Sequence, residues 1–320
     1  MVLTQNCLKF LKKGLVIKST GSWYLVKDTN GNKYECRIRG KLRLDGIKST
    51  NPIIVGDNVE FEIEDIEKNI GLIKNLCERK NYIIRKATNL SKRTHIIAAN
   101  VDHAYLIVTI ALPETSTEFI DRFLVSAEAY RIPVSLIFNK IDIFLKEHLE
   151  YMHKLVEIYE KIGYKCFEVS ALNNINIDIL RNKMKGKVNV VAGHSGVGKS
   201  TLINIIAPNA KLKVGELSEY HLKGKHTTTF AEMIEFNSGG YIIDTPGIKG
   251  FGVIDMEKEE LYHFFPEIFK ISKKCFYYNC THIHEPNCAV LKAVENGNIS
   301  ISRYNSYLNL FHKEDNKHRI

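Results

Sequence analysis

The chain has no long hydrophobic run: its apolar stretches, such as Ala104 to Leu112 (AYLIVTIAL), are too short to cross a bilayer. The N-terminus (MVLTQN) lacks a basic segment leading into an apolar core and a cleavage site, and neither end carries a lipidation signal. These absences argue against export and against a membrane, and the expectation is a cytoplasmic protein. An even cysteine count is also missing. Seven cysteines without an export signal argue against a disulfide framework. Cys7, Cys36, Cys77 and Cys166 are scattered and read as small buried apolar residues or bystanders, whereas Cys275, Cys280 and Cys288 cluster. No internal repeat or low-complexity tract is evident. Acid is absent from one stretch, Arg79 to Arg93 (RKNYIIRKATNLSKR), which reads as a basic linker.

What is there suits a globular protein of two or three domains: 320 residues, 44% hydrophobic and 25% charged. The net charge of +9 suggests a polyanionic partner. Residues 1–48 hold eleven Lys/Arg against three acids, while 49–78 hold two against seven, so the charge is segregated. Residues 13–76 read as five short strands (GLVIKS, GSWYLVKD, NKYECRIRG, GDNVEFEI, NIGLIKNL), the count of an OB-fold barrel. Arg37, Arg39, Lys41 and Arg43 alternate with apolar residues or glycine, so an extended strand puts four cations on one face. A polar-out strand explains the alternation. An RNA-facing strand also explains why the outer residues are all cationic.

Beyond the linker the rhythm changes to alternating strands and helices, the pattern of a parallel sheet covered by helices. The stretch Gly193-His194-Ser195-Gly196-Val197-Gly198-Lys199-Ser200-Thr201 follows a strand and opens a helix, as a phosphate-binding loop does. Its glycines let successive N–H groups turn toward phosphate oxygens, and the helix N-terminus adds positive charge. Lys199 is placed to reach the β- and γ-phosphates, and Ser200 to ligate Mg²⁺. Asp244, opening Asp-Thr-Pro-Gly247 at the end of the strand YIID, is a second Mg²⁺ ligand candidate, and Gly247 offers an N–H near the γ-phosphate. Asn139-Lys140-Ile141-Asp142 carries an amide and a carboxylate that match guanine's edge: Asp142 can accept from N1–H and N2–H₂, which adenine lacks. Ser170-Ala171-Leu172, after the next strand, can supply a backbone N–H to guanine O6.

The base-reading motif precedes the phosphate loop, the reverse of the usual order. In an open α/β sheet ligands bind at the carboxyl ends of the strands. All these motifs lie at such ends, so the loops can converge on one pocket whatever the chain order. The GTP-binding domain is read as circularly permuted.

In that motif order the chain resembles the RsgA (YjeQ) family of small-subunit ribosome biogenesis GTPases; Gly224 to Thr229 (GKHTTT) and IIAANVDHAYLIV also resemble it. The resemblance implies an OB-fold RNA-binding domain at 1–78, a circularly permuted GTPase domain at 79–254 and a mostly helical zinc-binding domain at 255–320. Cys275, Cys280 and Cys288 with one histidine make a closed tetrahedral set for one structural Zn²⁺ per chain. His282 and His284 both suit the fourth position, and the family pattern implies His282.

By the same resemblance GKHTTT is switch I, with Lys225 where the family has arginine. One of Thr227, Thr228 and Thr229 would meet Mg²⁺ or the γ-phosphate, and His226 is the candidate for positioning water, against a plain exposed loop histidine. Ile248 stands where many small GTPases carry a water-orienting glutamine, which implies slow turnover until a partner completes the site. The implied protein is a monomer that binds the small ribosomal subunit (16S-type rRNA), hydrolyses GTP to GDP in late subunit maturation, and leaves afterwards. The rival readings are an ATPase or nucleotide kinase on the same loop, and a non-catalytic rRNA-binding scaffold ordered by guanine nucleotide.

Overall fold

The structure is a computed structural model that describes residues 11–38, 52–85, 95–212, 232–244 and 257–313. Arg39, Lys41, Arg43, His226, Thr227, Thr228, Thr229, Gly247 and Ile248 lie outside the described residues, as does the side chain of Asp244.

Five strands, β1 (Lys12–Ser19), β2 (Tyr24–Asp28), β3 (Lys33–Ile38), β4 (Asn58–Asp65) and β5 (Ile70–Leu76), hydrogen-bond in the order β1-β2-β3-β5-β4, and β4 pairs back to β1. This closes the barrel expected from the five-strand rhythm. Alternation drives it: on β3, Tyr34 and Cys36 point inward while Lys33, Glu35 and Arg37 point out. The interior is filled by Val16, Tyr24, Val26, Val59, Phe61 and Ile73, each contributing roughly 1.5–3 kcal/mol by leaving water. Outward-facing Arg37 pairs with Glu64 at 3.0 Å, which offsets part of the charge ascribed to that face.

The stretch read as a linker is partly structured. Strand β6 (Tyr82–Arg85) pairs antiparallel with β7 (His95–Ala99). The flanking cations hide a Tyr-Ile-Ile core whose partners, Ala99, Ala98 and Ile96, lie well downstream. Just before it, Arg79 grips the buried Asp57 carboxylate with two bonds of 2.6 and 2.7 Å and reaches the Pro52 carbonyl at 3.0 Å. Burial pushes Asp57 up and Arg79 opposes that shift. The barrel also seats directly on β7: Ala99 N–H donates to Val55 O at 3.0 Å and Asn100 Nδ2 to Gly56 O at 2.9 Å. Gly56, at φ +93°, allows the approach, since any Cβ there would overlap the Ala99 carbonyl.

The second domain alternates β8 (His103–Val108), α1 (Thr117–Ala129), β9 (Val134–Asn139), α2 (Lys146–Ile162), β10 (Lys165–Val169), α3 (Ile177–Met184), β11 (Val188–Ala192) and α4 (Lys199–Ile206), then β12 (Glu232–Glu235) and β13 (Tyr241–Asp244). The order β10-β9-β8-β11-β13 is parallel throughout, with β12 antiparallel at its edge. Ser116 caps α1 by accepting from Phe119 N–H, and Gly163 closes α2 at φ +121°. β12 also touches the barrel through the pair Lys18–Glu232.

The C-terminal segment packs a 3₁₀ turn (258–264), α5 (Pro266–Ser272), α6 (Ala289–Glu295) and α7 (Ile301–Lys313) around Phe265, Ile268, Val290 and Tyr307. Val125 of α1 belongs to the same apolar cluster, so this segment is docked on the second domain.

Candidate nucleotide site and metal centre

The loop after β11 turns on glycines: Gly193, Gly196 and Gly198 have φ of 149°, 84° and 94°. A Cβ at Gly198 would overlap Asn139 Nδ2, so space as well as backbone angle requires glycine there. Lys199 opens α4 and folds back over the loop, its ammonium donating to the carbonyls of Gly193 at 2.5 Å and His194 at 2.9 Å. Ser200 is buried beneath it, Val197 faces the core, and Ser195 and Gly196 are exposed. Thr201 is half-buried on the first turn of α4.

The base-reading motif meets this loop through one side chain. Asn139, at the end of β9, donates from Nδ2 to Val197 O at 2.8 Å and accepts at Oδ1 from Ala171 N–H at 3.0 Å. The three loops at the strand ends are therefore fastened together by one buried amide, whose two polar atoms are both satisfied as burial demands. Lys140 takes a left-handed backbone (φ 70°) and its ammonium donates to the Leu112 carbonyl. Asp142 stands exposed on a short 3₁₀ turn. Ser170 is buried and accepts from Asn173 N–H at 3.0 Å. Asp244 ends β13, next to β11, at the same sheet edge.

Two features escape the sequence reading. His194 lies on Phe119 of α1, ring centroids 3.7 Å apart, and the Arg122 guanidinium lies over Phe119, 5.7 Å from its centroid. Burial, then Lys199 and Arg122, push His194 below the ordinary histidine value. The other feature is the loop after β8, whose Leu112 and Pro113 flank Lys140 and Gly196.

In the C-terminal segment Cys275, Cys280, His282 and Cys288 place their ligand atoms within 4.8 Å of one another. His282 Nδ1 is 3.6 Å from Cys275 Sγ and 3.5 Å from Cys288 Sγ, and those sulfurs are 3.9 Å apart. Bond lengths of about 2.3 Å to sulfur and about 2.0 Å to nitrogen give tetrahedral edges of about 3.5–3.8 Å, so the donor set fits zinc. His284 is exposed and lies outside the group. Glu285 lies beside this group and is held by its own loop. Burial alone would raise its pKa, but Thr281 Oγ1–H and the N–H groups of Thr281 and Ile283 bring it to about 2.

A phosphate loop, a guanine-type Asn-Lys-x-Asp loop ahead of it in the chain, and a parallel sheet carrying both define a circularly permuted P-loop GTPase. Profiles described as the RsgA GTPase and the RsgA N-terminal domain match residues 76–254 and 13–73. The chain is 59% identical over 308 residues to the small ribosomal subunit biogenesis GTPase RsgA of Phocaeicola vulgatus, covering 96% of this chain and 99% of that one. It is 56% identical, with the same coverage, to RsgA 2 of Bacteroides thetaiotaomicron. Among solved structures it matches YjeQ from Thermotoga maritima (TM-score 0.79, 37% identity, 95% of this chain and 98% of that one). It also matches YloQ, described as a circularly permuted GTPase (TM-score 0.77, 30% identity, 99% of each chain). The chain belongs to the RsgA family and is a GTP hydrolase.

Proposed function

We propose that the protein binds the small ribosomal subunit as a monomer in the cytoplasm, acts late in its maturation, hydrolyses GTP when the subunit stimulates it, and leaves after hydrolysis. The observation that carries the nucleotide assignment is Asn139, which joins the base-reading loop to the phosphate loop and to Ala171. The names of its relatives support the ribosomal part.

In this reading Asn139 and Asp142 select guanine, and the Lys140 stem covers a base face. A site built of paired polar groups rejects adenine because its unmatched groups would stay buried. Gly193 to Thr201 offer N–H groups to the phosphates, and Lys199 exchanges the loop carbonyls it now holds for phosphate oxygens. Ser200 and Asp244 would hold Mg²⁺, which neutralises charge on the β- and γ-phosphates. Water attacks the γ-phosphorus, its bond to the β-phosphate oxygen breaks, and GDP and phosphate leave. His226 positions that water, and Thr228 and Thr229 close on the γ-phosphate side with Gly247. Arg37, Arg39, Lys41 and Arg43 face rRNA phosphates, and zinc holds the C-terminal fold through Cys275, Cys280, His282 and Cys288.

The test is GTP hydrolysis by the protein alone, with small subunits and with large subunits. Stimulation by small subunits only is expected. Equal stimulation by both, or none, would sink the ribosomal assignment.

A further inference from the structure

We propose that the loop Phe276–Asn279 is a stacking platform for unpaired RNA bases, an inference that rests on the RNA-binding reading above. Its two ends, Cys275 and Cys280, turn their thiols into the same metal-binding group. The four residues between are pinned on both sides and project outward. Phe276 is 82% exposed, Tyr278 97% and Tyr277 43%. Large rings left in water at a loop tip are candidates for a partner surface. Phe276 and Tyr277 stand edge to face with centroids 5.1 Å apart, so the rings support one another in place.

The surrounding charge selects the partner. Lys270, Lys273 and Lys274 are all exposed, and residues 268–284 contain no acid. The acids that flank this stretch are engaged: Glu267 with Arg303, Glu285 with the amides of its own loop. Exposed rings and lysines in a stretch whose flanking acids are already engaged suit a chain of bases and phosphates. Stacking tolerates any base, while the lysines supply a salt-dependent grip on phosphate. The lysines alone would hold duplex RNA equally well; the rings add a preference for unpaired strands.

The experiment compares full-length protein with the double variant Phe276→Ala/Tyr278→Ala, both checked for equal zinc content. Binding is measured to single-stranded oligouridylate, to an RNA duplex of the same length, and to small ribosomal subunits. The expected result is a roughly tenfold to hundredfold loss on the single strand, with an unchanged salt slope and unchanged duplex binding. Lys273→Ala/Lys274→Ala should instead lower the salt slope on both RNAs. Tyr278→Trp, in a Trp23→Phe background, should be quenched on adding oligouridylate. Unchanged single-strand affinity without the rings would overturn the platform. So would a loss seen only on small subunits, which would place the rings against a ribosomal protein. Ring-dependent oligonucleotide binding by a protein that ignores small subunits would support the platform and sink the ribosomal assignment.

Discussion

Arg303 of α7 donates to Asp121 of α1 at 2.8 Å, with both side chains fully out of water. The same guanidinium grips Glu267 with bonds of 2.7 and 3.1 Å and lies 4.7 Å from the Phe265 ring centroid. Burial pushes the Asp121 carboxyl up, and Arg303 opposes it. This group fixes the C-terminal segment to the helix whose first turn carries Phe119, the ring under His194 of the phosphate loop.

Arg303→Met should therefore cost about 3–5 kcal/mol, because two carboxylates would be left buried without their cation. Urea unfolding of the full chain measures this. A change below about 1 kcal/mol would mean that the carboxylates take up protons and need no partner.

Asn139→Ala removes the two bonds by which that side chain ties the base-reading loop to its neighbours, and takes their partner from Val197 O and Ala171 N–H. A stability loss of about 1–3 kcal/mol is expected. Affinity for a fluorescent guanine nucleotide should fall at least about tenfold, in proportion to that energy. Retained affinity would remove Asn139 from the base-reading role.

Stripping zinc with a chelator, or Cys288→Ser, should release the fold of 257–313 while sparing the barrel and the parallel sheet. The four ligands come from loops and helix ends with little secondary structure between them, so metal binding and folding are one process here. Limited proteolysis alongside metal analysis reads the outcome. Metal-free protein with unchanged resistance would count against a structural zinc.

Acid should destabilise the protein through His103. Burial, then Lys187 and Lys165, push it from 6.5 to about 4, and its Nε2 meets Ser135 Oγ at 2.9 Å. At pH 7 it is neutral in both folded and unfolded chains, so its contribution is fully present. As pH falls below the unfolded value, the unfolded chain takes up the proton first, and stability is lost down to the folded value. His103 is half-buried, so after solvent screening the loss is about 1–2 kcal/mol. Melting temperatures of the wild type and His103→Gln, compared across this window, should show a shallower decline for the variant.

The barrel, the alternating domain and the Cys/His cluster were legible because each rests on short-range signals: period-two strands, glycines at a strand–helix turn, and closely spaced thiols. Strand β6 was not, because its pairing energy comes from β7 and its sequence is dominated by cations. Nor was the Arg303 group, in which residues 182 positions apart meet. Nothing in the local pattern of Arg303 distinguishes it from a surface arginine. The Phe119–His194 stack escaped for the same reason, since Phe119 reads only as a core-facing residue of α1.

The bond from Asn139 to Val197 spans 58 residues of chain in the direction set by permutation. During synthesis the half that recognises the base is made first, and its central amide has no acceptor until the phosphate loop follows. A nascent chain halted between the two cannot assemble the pocket, whatever the concentration of nucleotide around it. Competence for GTP is thus acquired late in the life of each new polypeptide, shortly before the segment that carries the metal centre is added.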